Sequence, residues 1–552
     1  MKTSSCMAIL LAAACGQTAP SSIAVSDTAL TTVRQAVAIR PLGGAGNNLL
    51  HPEYDAVPGS AEPALAAPNF APGEGLIDGP NPRTISNVLA GGTGATGQNE
   101  GTTDPTASAW LYVFGQFLDH DLGLEETPLT NPAIDIVIPA GDPLFAAGTH
   151  IAMTRATRSS ATGTLINTVA GWLDLSQLYG STAEVAASLR NPDGTLQSTS
   201  GGKSLPRMGE QFIAGDPRVM ENPELTAVTT LFMREHNYQA GVLKARHPGW
   251  SGDAIYDLAR TITTAEYQNI VYREYLPVLI GDVLGPYRGY DASVNAQTTQ
   301  EFSTAAFRVG HSQVSDTQSG IDLNGNEVFS ESLVDSFFNT ATQDEANGLD
   351  PLLRSLGTDF SQATDVYSVG ELRNLLFAGL VGGGVDELDL IAIDIQRERD
   401  VGLGTLNQTR AALGLPKLRS FAELTSDPLL QQGFAQLFGS IDAVDLFMGG
   451  LAERHARGAV VGQTFQAIIA RQFQALRAGD RFFWLNQGFD AATQRQLAQT
   501  TLGTLLERHT GTARLQANVF LQAPLGSGRR VHHAQTHGGQ RDGARLQLLR
   551  TP

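Results

Sequence analysis

Apolar residues recur three and four positions apart in stretch after stretch of this 552-residue chain, while runs that alternate apolar with polar are few and short. Residues so spaced share one helix face, and a face of that kind must be buried. Between Ala107 and Leu118 the stripe is Trp110, Val113, Phe114 and Phe117. Asn222 and Pro223 form an N-cap and first-turn pair ahead of Leu225, Val228, Leu231 and Phe232. Similar patterns run through 253–280, 364–380, 427–440, 460–478 and 491–508. No fixed repeat period interrupts them. The expectation is a mainly α fold with little β-structure, in a single large helical domain spanning about 33–525.

The flanks read differently. Residues 1–15, MKTSSCMAILLAAAC, have one lysine, a short apolar run and small residues, the pattern of a signal peptide too short to span a bilayer. Ala12-Ala13-Ala14-Cys15 resembles a bacterial lipobox, although Leu11 stands one position early. Lipidation at Cys15 and ordinary cleavage near Ala14–Ala19 both remain open. Residues 16–32 read as a flexible tether. From 33 to 105 the chain is rich in Gly, Pro, Asn and Ala, which suggests wrapping segments and turns. The segment 526–552 carries five Arg and three His against one Asp and reads as a basic, disordered tail that touches anionic surfaces or has no role.

Cys6 and Cys15 are the only cysteines, so residues beyond 15 have no disulfide framework and no Cys-ligated metal. The charge sum, 37 − 55 = −18, speaks against nucleic acid as a partner.

Chemistry concentrates in Phe114-Gly-Gln-Phe-Leu-Asp-His-Asp-Leu122. Gln116, Asp119 and His120 stand at i, i+3 and i+4 and share a helix face. Alone, His120 reads first as a hydrogen-bonded core histidine. Two further segments change the balance: Gly-Asp-Pro-Arg218-Val-Met-Glu221-Asn222-Pro223, just before a helix, and Phe307-Arg-Val-Gly-His311-Ser on another helical stretch. One histidine to hold iron, with a second histidine and an arginine elsewhere, is what peroxide chemistry on haem requires. The first ligates the metal, the second moves a proton between peroxide oxygens, and the arginine stabilises the charge that develops as the O–O bond breaks.

At this point the chain resembles the animal-type haem peroxidases of the peroxidase–cyclooxygenase superfamily, as a bacterial secreted member. The resemblance extends through Pro82–Asn87 (PRTISN), Asp174–Gly180 (DLSQLYG), Arg234–Asn237 (REHN), Asp394–Asp400 (DIQRERD), Met448–Gly450 and Gly479–Phe482. It implies a haem b derivative as cofactor and reduction of hydrogen peroxide through a high-valent iron–oxo intermediate. By it, His120 is the distal acid–base residue, Gln116 lies beside it, Arg218 is the distal arginine and His311 is the iron ligand. Asp119 and Glu221 match carboxylates that form esters with haem methyl groups; for Glu221 the plain alternative is a helix-capping carboxylate. Arg397 matches an arginine near a haem propionate, the alternative being a buried structural ion pair. His236 of REHN reads as structural. Calcium is implied at Asp121, Asp174 and Ser176 with backbone oxygens of Ala170 and Trp172, where Ala170 replaces a threonine ligand; the alternative for Asp121 is ordinary capping.

Two departures carry mechanism. Asp394 replaces the family's asparagine beside the iron-bound imidazole, which should increase the ligand's electron donation and lower the iron potential. Asn222 stands where one branch has a methionine bonded to haem, so bromide, iodide, thiocyanate or phenols are expected to be better donors than chloride. The rivals are a fatty-acid dioxygenase or cyclooxygenase-like enzyme and a non-catalytic haem-binding surface protein. The oxygenases place a tyrosine three residues before the iron ligand, where this chain has Arg308. The expected location is secreted or cell-envelope, with membrane contact only through an anchor at Cys15.

Overall fold

The computed structural model describes residues 37–70, 76–91, 103–160, 163–339, 348–377, 388–513 and 515–522. The leader-like segment with Cys15, the tether and the basic tail lie outside the described residues. Helices carry the architecture. The sheets are five antiparallel two-stranded pairs among the described residues.

Eight helices position the candidate site: α1 (Trp110–Leu122), α2 (Ser176–Tyr179), α3 (Pro223–Arg246), α4 (Gly252–Ile270), α5 (Gly310–Gln313), α6 (Leu390–Val401), α7 (Gln463–Ala478) and α8 (Leu502–Thr510). α1 is buried nearly all round, from Trp110 through Phe114, Phe117 and Leu118 to Leu122. Each such side chain contributes about 1.5–3 kcal/mol on leaving water. Phe117 stacks on Phe232 of α3 at 5.1 Å, and Tyr267 of α4 sets its edge against both rings at 5.9 and 5.7 Å. Gly115 lets the Tyr275 hydroxyl come close to α1, because a Cβ there would lie 2.9 Å from it and push that ring aside. Asn222 caps α3 by accepting the Leu225 N–H, and Pro223 fills the first turn. Asp389 caps α6 and Gly402, at φ 80°, ends it.

Long-range ion pairs close the shell. Arg40 of the N-terminal segment pairs with Asp480, and Arg83 reaches both Asp142 and Asp389 at 2.7 Å.

Two helical expectations need correction. Within 364–380 only Gly370–Arg373 is helical among the described residues. The run before it stays irregular because it props up α5: Ser368 Oγ donates to the His311 carbonyl at 3.0 Å, and Thr364 Oγ1 accepts from Gln313 Nε2 at 2.8 Å. The 491–508 stretch is two helices, Ala491–Leu497 and α8, separated where Thr501 caps the second. The proximal stretch around His311 is likewise a 3-10 turn, Ala306–Val309, followed by the single turn of α5.

Candidate active site

His120 sits on the last turn of α1 and is buried. Its Nδ1 is 3.9 Å from Asp216 Oδ1 and its Nε2 is 3.7 Å from Glu221 Oε2. Asp216 caps the 3-10 turn Pro217–Met220 through the Arg218 N–H at 2.7 Å. Both its oxygens also accept from the Arg218 guanidinium, at 2.9 and 2.7 Å, and Arg218 Nη2 donates to the Gly123 carbonyl at the end of α1. The capped turn therefore fixes the arginine beside the histidine. Burial, and then the charge of Arg218, pull His120 down to about 3 against the weaker attraction of Asp216, so the imidazole is neutral at ordinary pH. Gln116 Nε2 donates to Glu221 Oε2 at 3.3 Å.

His311 belongs to α5, which packs against α1. Its Nδ1 lies 2.6 Å from Asp394 Oδ2 on α6, and Arg308 Nη1 donates to the other oxygen of that carboxylate at 2.8 Å. Arg308 Nη2 lies 3.9 Å from Glu125. Behind Glu125 stands Glu62, which burial and the repulsion of Glu125 hold well above the usual carboxylate range. A Cβ on Gly310, the residue before His311, would meet nothing within 4 Å.

Asp119 and Glu221 connect the two sets. Burial pushes Asp119 up to about 6, opposed by the charges of Arg218, Arg308 and His311. Burial also raises Glu221, opposed by Arg218 and His311. Their carboxyls therefore stand in the fields of both groups.

Desolvation is the largest influence on Arg218, Glu221 and Arg308, yet these side chains keep 25, 28 and 19% of their accessible surface, and His311 keeps 31%. These charged groups are packed closely by protein yet keep part of their surface open, which leaves them able to meet a bound group. An imidazole whose Nδ1 is held by a carboxylate, with cations and carboxyls near it, is a donor set that suits an iron porphyrin and its propionates.

The other expected residues fall into place differently. Arg397 donates to Asp400 at 2.6 Å and to the Thr154 carbonyl at 3.0 Å, which is the buried ion-pair arrangement; it feels Arg308 and Glu125 from the rim of the group. Arg308, considered in the sequence only as the absence of a tyrosine, is the guanidinium that holds Asp394. Asp216, likewise given no role, is what holds Arg218; its signal was an Asp-Pro pair opening a turn. His236 has both ring nitrogens occupied, by the Tyr179 hydroxyl at 3.0 Å and the Gly194 carbonyl at 3.1 Å.

Asp121 gathers the loop before α2. Its oxygens accept from the amides of Asp174, Leu175 and Ser176 and from the Ser176 hydroxyl. Those bonds hold Leu175 at φ 61°, a left-handed conformation costly for leucine. Trp172 is buried and its carbonyl accepts the Asp174 amide; the Ala170 amide donates to Ser181. Asp174 Oδ1 is buried without a partner. Burial pushes Asp174 up to about 6, and burial with repulsion from Asp174 raises Asp121 further. Among the described residues no cluster of three or more His, Cys, Asp or Glu is arranged as a metal site.

Comparison with known proteins follows the same lines. The animal haem peroxidase family matches residues 39–520. Peroxinectin A of Dictyostelium discoideum is 31% identical over 89% of this chain and 97% of its own length. The structure of peroxidase A from the same organism superposes with a TM-score of 0.78 at 30% identity, covering 88% of this chain and 99% of that one. A fatty acid α-dioxygenase of Arabidopsis thaliana shares the fold alone, at 18% identity and a TM-score of 0.73 over 89 and 87% of the two chains. With a family match across most of its length and relatives named as peroxidases, this chain belongs to the animal haem peroxidases and is a haem-dependent peroxidase.

Proposed function

We propose that haem would be held near His120 and His311, with His311 Nε2 as the atom that would bind its iron and His120 as the acid–base residue for peroxide. Bound haem supplies the redox chemistry by which peroxide is reduced. The observation that carries the assignment is the wiring of the two imidazoles. His120 is buried, neutral and free of a close partner, so it can take a proton from incoming peroxide and return it to the departing oxygen as water. His311 has Nδ1 fixed by Asp394, which leaves only Nε2 for a metal. Arg218, anchored by Asp216, supplies positive charge where the departing oxygen becomes negative. Gln116 donates into the same space.

Asp119 and Glu221 are the carboxylates proposed to join the haem periphery as esters, supported by their standing in the fields of both sets. Arg397 stays a rim residue whose main bond is to Asp400. We assign Ca²⁺ to Asp121, Asp174 and Ser176 with backbone oxygens of Ala170 and Trp172; the support is a buried carboxylate oxygen left without a partner between two mutually repelling acids. Donors are small reductants, bromide, iodide, thiocyanate or phenols, ahead of chloride. The oxygenase rival lacks support because Arg308 occupies the position its tyrosine would need and is committed to Asp394. On the leader-like sequence we place the protein outside the cytoplasm, secreted after cleavage near Ala14–Ala19 or held at the cell envelope through Cys15; no helix among the described residues is long and apolar enough to cross a membrane.

The test is a peroxide titration of the holoprotein followed at the Soret band, with a panel of halides, thiocyanate and phenols as reductants. A peroxide-dependent spectral change reversed by iodide or phenol supports the reading, and an unresponsive Soret band refutes it. Mass spectrometry of the denatured holoprotein reads the esters directly: released haem removes them.

A further inference from the structure

The Asn222 side chain makes two hydrogen bonds, and together they decide which end of the Gln116 amide faces the site. Its Oδ1 accepts the Leu225 backbone N–H at 2.8 Å, the capping bond of α3. A backbone amide only donates, so that atom is the oxygen and the other is the nitrogen. The nitrogen meets Gln116 at 2.9 Å, so the Gln116 atom there is its carbonyl oxygen. The Gln116 –NH2 is thereby turned toward Glu221 Oε2, at 3.3 Å, which itself lies 3.7 Å from His120 Nε2. One unambiguous backbone donor orients two side-chain amides in succession. Gln116 is only partly buried, and its amide carries a second N–H besides the one given to Glu221.

We infer that Asn222 is a positioning residue that presents Gln116 as a hydrogen-bond donor in the His120 pocket, biasing that pocket toward small anionic or hydrogen-bond-accepting ligands. This rests on the haem-peroxidase reading of the two histidines. The bias follows from donor count alone. With the amide reversed, a carbonyl oxygen would face a Glu221 oxygen, an acceptor whether ester or carboxylate, and any anion near it, and both contacts would set acceptor against acceptor. The same residue as a helix cap and nothing more would leave the amide free to take either orientation.

The two roles separate by substitution. Asn222→Ser keeps the cap, since serine caps as well as asparagine, but is neutral and too short to reach Gln116. Asn222→Asp also keeps the cap and offers Gln116 an acceptor, so the amide must turn over. The probes are fluoride on the ferric holoprotein, read at the Soret band, and carbon monoxide on the ferrous holoprotein, read by its infrared stretch. Asn222→Ser is expected to raise the fluoride Kd about ten-fold and to spread the carbon monoxide stretch over two bands, one per amide orientation. Asn222→Asp is expected to weaken fluoride further and leave only the higher-frequency band, with urea midpoints of both variants close to that of the parent. Fluoride affinity within about two-fold of the parent and an unchanged single band in both variants would overturn the inference, whatever happens to stability. Absence of any fluoride or carbon monoxide response in the parent holoprotein would instead refute the haem-pocket reading, and the inference with it.

Discussion

His120 and His311 each have one aspartate and one arginine as neighbours, and the two trios are connected in different orders. On the His120 side the arginine takes both oxygens of Asp216, and the imidazole is left 3.9 Å away. On the His311 side the oxygens of Asp394 are divided, one to Arg308 and one to the imidazole at 2.6 Å. The first arrangement leaves a neutral base with both nitrogens uncommitted. The second locks one nitrogen and aims the other. The same three residue types thus give a proton carrier or an iron ligand according to which of them the carboxylate binds.

The comparison breaks most completely at the ligand. His311→Ala is expected to abolish the Soret absorbance of purified protein, whereas His120→Leu should retain it. His120→Leu should instead slow the reaction with peroxide by about 10²–10⁴-fold in stopped-flow measurements. The pH dependence sharpens this contrast. With His120 held down to about 3, the base stays neutral and the peroxide reaction should hold its rate as pH falls to about 4. The unfolded chain's imidazole takes its proton near pH 6.5, so the unfolded state binds more protons below that value. His120 therefore costs stability progressively as pH drops from about 6.5 toward 3, and His120→Leu should flatten that part of the acid-unfolding curve.

Smaller effects test the two aspartates. Asp216→Ala leaves the Arg218 guanidinium with the Gly123 carbonyl alone and should cost about 2–3 kcal/mol in urea unfolding, together with slower peroxide reaction. Asp394→Asn keeps a hydrogen bond to His311 but removes the charge behind it. The ferric/ferrous potential should rise by roughly 50–100 mV in a spectroelectrochemical titration. Equal potentials would show that Asp394 positions the ring without tuning it.

Much of the His120 side was legible before the structure, because local rules govern it. Gln116, Asp119 and His120 share a face by helix periodicity, and Asn222-Pro223 announces the start of α3. The His311 side was legible only as a ligand and a substituted neighbour. Its pairing joins residues 83 positions apart, and the guanidinium that completes it comes from the turn before the ligand. The misjudged helix at 364–380 has the same origin: apolar spacing suggested a helix, but bonds to His311 and Gln313 were better satisfied by an irregular run.

Sequence alone determined what short-range geometry controls, namely which side chains share a helix face, where α3 begins and the absence of disulfides beyond residue 15. Only the tertiary structure decided which arginine each aspartate serves, that Arg397 is spent on Asp400, and that Asp119 and Glu221 stand in the fields of both histidine sets. Those outcomes depend on contacts between distant segments, where burial makes every carboxylate compete for the nearest cation, and no spacing along the chain records who wins.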